Sequence, residues 1–219
     1  MSGFEYPDWR MENERTQKLN SLRVASPEDP MRILCSACLT GVTCGYDGTA
    51  NGTYPSVLKL LQYNTVQLTR FCPEEFVFGS PREMCDIHGG TGFDVLTGHA
   101  RVLSESGKDW SSLMIHAAEK MLEIALEAGI ELAVMMDISA ACGSTVIYSG
   151  NRFAENKIYQ IGAGVAAALL MQNNIPVISQ RDFASLQILY SKIDPAHKVD
   201  SQSIDHHQTE WFREYFHTK

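Results

Sequence analysis

The chain has 219 residues, 44% of them hydrophobic and 20% charged, and a formal net charge of −8 at pH 7. That composition belongs to one globular domain large enough to bury a core, and the negative sign excludes a chain that grips nucleic acid by bulk electrostatics. Six cysteines in this length fall far below the density of a disulfide scaffold.

Residues 1–31 read as an N-terminal arm. Their opening, "MSGFEYPDWRMENERTQKLN", is polar and charged, without the apolar run of a signal peptide, and "SPEDP" near their end is a loop signal. "RILCSA" follows, a short apolar run without alternation, as expected of a strand buried on both faces. "YPSVLKLLQY" sets Val57, Leu58, Leu60 and Leu61 at helical spacing after a Pro-Ser start, and "TVQLTRF" reads as a second strand. Residues 73–100, rich in Gly and Pro, form a long excursion, and loops of that length are usually functional. "DWSSLMIHAAEKMLEIALEAG" is the best helix: Asp109 or Ser111 caps it, Leu113, Ala117, Leu122 and Ala125 lie on or near one face, and Gly129 stops it. "ELAVMMD" is a third buried strand, "GAGVAAALLMQNN" a second strong helix and "IPVIS" a fourth strand. Residues 181–219 form a C-terminal extension in which "FASLQILYSKI" is helical and "KVDSQSIDHHQTE" is a polar loop leading to an aromatic end.

This alternation predicts the α/β class: a single three-layer domain over residues 32–180, with a mostly parallel sheet and helices on both faces. The longest apolar stretch, around "GVAAALL", is too short to span a bilayer. No membrane association is expected, and the cytoplasm is the expected compartment. Thiols stay reduced there, which favours metal or catalytic roles for clustered cysteines.

The topology makes three cysteines informative. Cys38 falls just after the first strand, Cys72 directly after the second, and Cys142 in the loop after the third. In an open parallel sheet the carboxyl ends of the strands share one edge, where ligands bind, so these three converge. Cys35 on the first strand and Cys85 in the excursion read as small apolar filler; Cys44 stands open between filler and auxiliary ligand. A closed structural zinc site takes four protein ligands, often from two C-x-x-C pairs; "CSAC" is one such pair and no second exists. Three thiolates suit an iron–sulfur cluster with one iron left without a protein ligand.

The motifs "SACLTGVTCGYDG", "CPEE", "GSPREMCDI", "TGFDV", "SAACGS", "IYSG" and "IGAGVAAALL", then "IPVIS", stand in an order that resembles the thiouracil desulfidase (TudS-like) family over roughly residues 32–180. The resemblance implies an α/β domain carrying a 4Fe–4S cluster with one iron lacking a protein ligand. It places the cluster ligands on Cys38, Cys72 and Cys142, and proton handling on Glu74 and Ser139. Ser144, beside the third cysteine, and Gly162 and Gly164, ahead of a helix N-terminus, are the candidate substrate-binding positions, with helix packing the alternative for the two glycines. The departures lie in the pocket walls: Gly45 where the family usually has arginine, and Ala140-Ala141 after Ser139 where it has Pro-Ser.

Of the remaining polar residues, Asp47-Gly48 reads as turn chemistry and Tyr46 as packing. Arg82 reads as a tie for the excursion, with Glu83 as partner, or as an anion binder. Asp205–His207 reads as a solvated loop. The expected function is non-redox desulfuration of a thiolated nucleobase or a related small thiocarbonyl compound, giving the oxygen analogue and sulfide. A cluster-bearing binding or sensing module without turnover and a zinc-thiolate protein are the alternatives.

Overall fold

The computed structural model describes residues 12–217 apart from 51 and 53; the first eleven residues of the predicted arm lie outside the described residues. In chain order the elements are α1 (Glu12–Ser21), β1 (Met31–Ser36), α2 (Pro55–Leu58), β2 (Val66–Phe71), α3 (Pro73–Phe78), β3 (Cys85–His88), α4 (Gly92–Leu96) and β4 (Arg101–Ser104). They continue with α5 (Ser111–Glu127), β5 (Leu132–Met135), β6 (Val146–Tyr148), β7 (Tyr159–Ile161), α6 (Val165–Gln172), β8 (Val177–Ser179), α7 (Phe183–Ile193) and α8 (Glu210–Phe216). Short 3₁₀ turns follow β1 (Ala37–Thr40), extend α2 (Lys59–Gln62) and precede α8 (His206–Gln208).

Four strands form one sheet in the order β2-β1-β5-β8, and each neighbouring pair is parallel. The two central strands carry the core: Ile33, Leu34 and Cys35 of β1 and Leu132 to Met135 of β5 are all 0% exposed. Strands this apolar are stable only when covered on both faces. The chain leaves β1 toward β2 on one side and leaves β5 toward β8 on the other. Right-handed crossovers therefore set α2 against one face and α6 against the opposite one. Helix α5 packs against α3 and α6, α4 against α6, and α1 against α7. The crevice between the carboxyl ends of β1 and β5 is the topological switch point of the sheet, where open α/β folds place ligands.

The four predicted strands and the two strong helices stand. Several details differ. The helix at "YPSVLKLLQY" is α-helical for four residues only and continues as a 3₁₀ turn; Val57 and Leu60 enter the core while Leu61 is 50% exposed. In α5 the buried face is Met114, Ala117, Ala118, Met121 and Ala125, and Leu113 is exposed; the i, i+3, i+4, i+7 series starts one residue later than expected. The Asp109 carboxylate accepts from Ser111 N and Oγ at 2.9 and 2.6 Å, and Gly129 ends the helix at φ +60°.

The excursion is not a bare loop. It holds α3, β3 and α4, and β4 directly after it pairs antiparallel with β3; a second antiparallel pair, β6-β7, follows β5. These four strands are short, and β3, β4 and β7 mix polar with apolar residues, so they lack the unbroken apolar run that marks a buried strand in the sequence. Arg152 joins the two pairs, donating to Asp86 at 2.7 Å and to Cys85 O at 2.9 Å. The tail is also folded: Asp205 and His206 are 6% and 4% exposed, which overturns the reading of a solvated loop. Burial there follows from partners that sequence spacing does not reveal.

Candidate functional site

Three loops leave the carboxyl edge of the sheet, and each brings sulfur to it. Cys38 lies in the 3₁₀ turn that follows β1 directly, half-buried against the core. The loop then folds back: Cys44 N donates to Val42 O at 2.9 Å, and a turn closes through Gly45 N to Thr49 O at 2.8 Å. Asp47 Oδ1 accepts from Thr49 N at 3.0 Å, the turn chemistry expected of Asp47-Gly48. A Cβ on Gly45 would stand 2.6 Å from Thr49 O, so this turn has no room for a larger residue at position 45. Tyr46, expected to pack, is 45% exposed, because the turn points it outward.

Cys72 stands at the end of β2 and caps α3, its Sγ accepting from Glu75 N at 3.4 Å. Cys142 follows β5 in a loop held from three directions. Ser139 Oγ accepts from Cys142 N at 3.0 Å and from Ala141 N at 3.2 Å. The N–H groups opening α6 donate into the same loop: Gly164 to Gly143 O, Val165 to Ala140 O, and Ala166 and Ala167 to Ala141 O, at 2.8–3.2 Å. Gly162 N donates to Thr145 O at 3.0 Å. A Cβ on Gly164 would lie 2.6 Å from Ala141 C and Ser139 O, and one on Gly162 2.6 Å from Thr91 Cγ2. Both glycines thus permit close backbone packing, and their N–H groups are already engaged. Ser144 is buried with its Oγ 3.5 Å from Thr145 Oγ1.

The thiols meet one another. Cys72 Sγ donates to Cys44 O at 3.8 Å, and hydrogen bonding with Cys38 is the main reason the Cys44 thiol is pushed up to about 11. The bond with Cys44, then burial, raises Cys72. Burial, then the neighbouring charge of Cys72, raises Cys142, whose thiol also meets Ser36. Cys35 and Cys85 are buried in the core cluster, which also includes Cys142, and Cys35 is pushed up to about 12 by burial. All six cysteines are free thiols. Sulfur is a soft donor suited to transition metals and iron–sulfur clusters. Buried neighbouring thiols that resist ionisation form a site short of positive charge, which a cation supplies as it displaces their protons. The donor set therefore fits a thiolate-bound cluster.

Two polar residues complete the site. Glu74, two residues past Cys72, is gripped at both oxygens: Ser139 Oγ donates to Oε1 at 3.1 Å and Arg82 Nη2 to Oε2 at 3.0 Å. Glu74 and Ser139, separated by 65 residues, are thus brought together beside the cysteine loops. Arg82 has a 5% exposed side chain, and its Nη1 also reaches Cys44 O at 3.0 Å, Gly45 O at 3.3 Å and Gly79 O at 3.0 Å. It ties the excursion to the first cysteine loop through the Cys44 and Gly45 carbonyls, and holds Glu74 with its other nitrogen. Glu83, its expected partner, pairs with Lys108 at 3.1 Å, because the β3-β4 hairpin turns the two neighbours apart. A second group of potential ligands, Asp182, Asp205 and His207, surrounds the Arg15 guanidinium, which pairs with both aspartates and reaches His207 Nδ1 at 3.3 Å. Sequence reasoning missed Ser36 and Asp137, and it read His206, within Asp205–His207, as part of a solvated loop, whereas His206 is buried.

The sequence profile of the 2-thiouracil desulfurase family matches residues 33–182. The uncharacterized protein YbbK of Bacillus subtilis (strain 168) is 38% identical over 151 residues, which cover 68% of this chain and 96% of YbbK. A solved structure, that of the 4Fe-4S-dependent thiouracil desulfidase TudS, superposes with a TM-score of 0.60 at 31% identity, covering 74% of this chain and 98% of TudS. No helix among the described residues is long and apolar enough to cross a membrane.

Proposed function

The chain belongs to the 2-thiouracil desulfurase family, and from that premise we propose that it removes sulfur from a thiolated nucleobase or a related small thiocarbonyl compound in a reducing, cytoplasmic setting. The net reaction exchanges the C=S sulfur for a water oxygen and releases sulfide, with no change in oxidation state. Cys38, Cys72 and Cys142 are the proposed ligands of a 4Fe–4S cluster, with Cys44 beside them. Such a cluster, held by three thiolates, supplies an iron without a protein ligand that polarises a soft thiocarbonyl sulfur as a Lewis acid.

The observation that carries this reading is the Glu74–Ser139 hydrogen bond at 3.1 Å at the edge where the three cysteine loops meet. Glu74 takes a proton from the water that adds to the ring carbon. Ser139, 3.1 Å from Glu74, gives its hydroxyl proton to the ring nitrogen as the C–S bond breaks and takes a proton back from Glu74, while the sulfur leaves as sulfide. Arg82 keeps the carboxylate pointed at Ser139. Ser144 and the Gly162–Gly164 segment shape the far wall by packing.

Anaerobic loading with iron and sulfide, followed by thiouracil without an electron donor, should yield uracil and sulfide in equal amounts over many turnovers. Glu74→Gln should keep the cluster's visible absorption and lose about 10²- to 10⁴-fold in kcat, the usual cost of removing a positioned acid–base group. A requirement for reductant in every cycle would refute the non-redox reaction. A fully loaded protein inert toward a panel of thiolated bases and nucleosides would favour a binding module. A colourless zinc-bound preparation would favour a zinc-thiolate site.

A further inference from the structure

The loop that carries Ser139 and Cys142 begins with a strained residue. Ile138 has φ +55°, a left-handed conformation that a β-branched side chain holds only where its surroundings impose it. Its N–H donates to Val146 O at 3.1 Å. The residue before it, Asp137, is 4% exposed and pinned at three points. Asp137 N donates to Gln180 Oε1 at 2.8 Å, its Oδ1 accepts from Val146 N at 3.4 Å, and its Oδ2 meets His206 Nδ1 at 2.5 Å. Gln180 and Val146 belong to the region matched by the family, which ends at residue 182; His206 lies beyond it.

His206 is itself seated. Its N–H donates to Asp182 Oδ1 at 3.1 Å, and its ring stacks on Trp211 with centroids 5.3 Å apart and planes 7° from parallel. Asp205, next to it, accepts from Ser185 N at 2.8 Å and from Ser185 Oγ at 2.6 Å, and pairs with Arg15 of α1. The segment after α7 is thus docked through buried polar contacts back onto the start of α7, and it offers one side chain to the loop after β5. A carboxylate oxygen accepts, so the ring donates from Nδ1.

We infer that His206 is a positioning residue: its hydrogen bond to Asp137 holds Ile138 in the left-handed region, and so aims Ser139 at Glu74 and Cys142 at the other thiols. The positioning stands on the geometry alone; its consequence for turnover rests on the function proposed above.

Two substitutions separate this role from simple packing. His206→Phe keeps a ring to stack on Trp211 and has no donor. His206→Asn gives up the ring and places an amide N–H near the position of Nδ1. Hydrogen–deuterium exchange of residues 137–146, measured on the full chain as purified, needs neither a cluster nor turnover. His206→Phe should speed exchange in this segment about tenfold, as for the loss of one buried hydrogen bond to a charged group, while α5 exchanges as before. His206→Asn should recover most of that protection. Ile138→Gly added to His206→Phe should recover it at Ser139 to Gly143, since glycine takes a positive φ without being forced. Unchanged exchange in His206→Phe, or equal loss in His206→Asn, overturns the inference and leaves His206 a packing group. Should His206→Phe lose protection everywhere, His206→Gln, which offers its amide at the Nε2 position, makes the same comparison with His206→Asn. On the iron-loaded enzyme kcat should follow the exchange, falling about tenfold in His206→Phe with KM little changed. An inert parent enzyme would count against the proposed function and leave the exchange result readable.

Discussion

The two cysteine loops that flank the switch point are built in opposite ways. The loop after β5 is a fixed platform. Ala140, Ala141, Cys142, Ser144 and Thr145 are all 5% exposed or less, and the N-terminal N–H groups of α6 donate to its carbonyls. A Cβ added to Gly143 would stand 2.7 Å from Ile147 Cγ2. The loop after β1 is secured from outside. Gly41 and Gly48 take φ +84° and +79°, with nothing nearer than 3.9 Å to a Cβ built on either, Asp47 and Thr49 are exposed, and the long-range hold comes from Arg82 and from Ser80, whose Oγ donates to Gly45 O at 2.6 Å. A centre inserted into a folded chain needs one wall that yields and one that does not. On the proposed function, Cys142 lies on the rigid wall, while Cys38 and the buried Cys44 belong to the loop with the exposed tip, the yielding one.

The largest test of that division concerns metal. Cys142→Ser should abolish iron uptake, because the platform cannot bring another sulfur into its place, while Cys44→Ser should retain iron near the parent level. Iron per chain after anaerobic loading checks both. If Cys44→Ser loses iron and Cys38→Ser keeps it, the yielding loop presents its other thiol to the centre.

The next effect is on stability. Gly164→Ala forces a Cβ within 2.6 Å of backbone atoms on the platform and should cost about 1–3 kcal/mol or more, as overpacking of a rigid interior does. Gly41→Ala meets nothing within 4 Å and should cost only the conformational penalty of the left-handed region, about 1–2 kcal/mol. Urea midpoints at constant m-value compare the two. A larger loss at Gly41 would reverse the assignment of rigid and yielding walls.

The smallest predicted change is in Arg82→Lys. A lysine keeps the charge beside Glu74 but cannot fork between that carboxylate and the carbonyls of Cys44, Gly45 and Gly79. Iron content should hold while kcat drops about tenfold, the effect of one charge-assisted hydrogen bond lost at a reacting group. Unchanged kcat would show that the first loop and Glu74 keep their places without the guanidinium.

Much of this protein is legible in short windows of its sequence. Buried parallel strands appear as unbroken apolar runs, and "RILCSA", "TVQLTRF", "ELAVMMD" and "IPVIS" therefore define the sheet without any knowledge of their neighbours. The cysteines follow, since the end of a strand fixes the edge to which the next residue belongs. Motif order places the chain near its family for the same reason: each motif is local. The Glu74–Ser139 contact is of another kind. It joins residues 65 apart, and only the assembled sheet and the seated α6 decide that the two side chains meet. The same holds for Arg82, which chooses Glu74 over Glu83 because a hairpin turns neighbours apart, and for His206, whose polar surroundings in sequence suggest solvent. Its burial depends on Asp137, Asp182 and Trp211 arriving together. Local pattern determines what each segment is, because propensity and periodicity act within a few residues. Which polar groups become partners is decided only when loop closure and packing bring distant segments into one low-dielectric space.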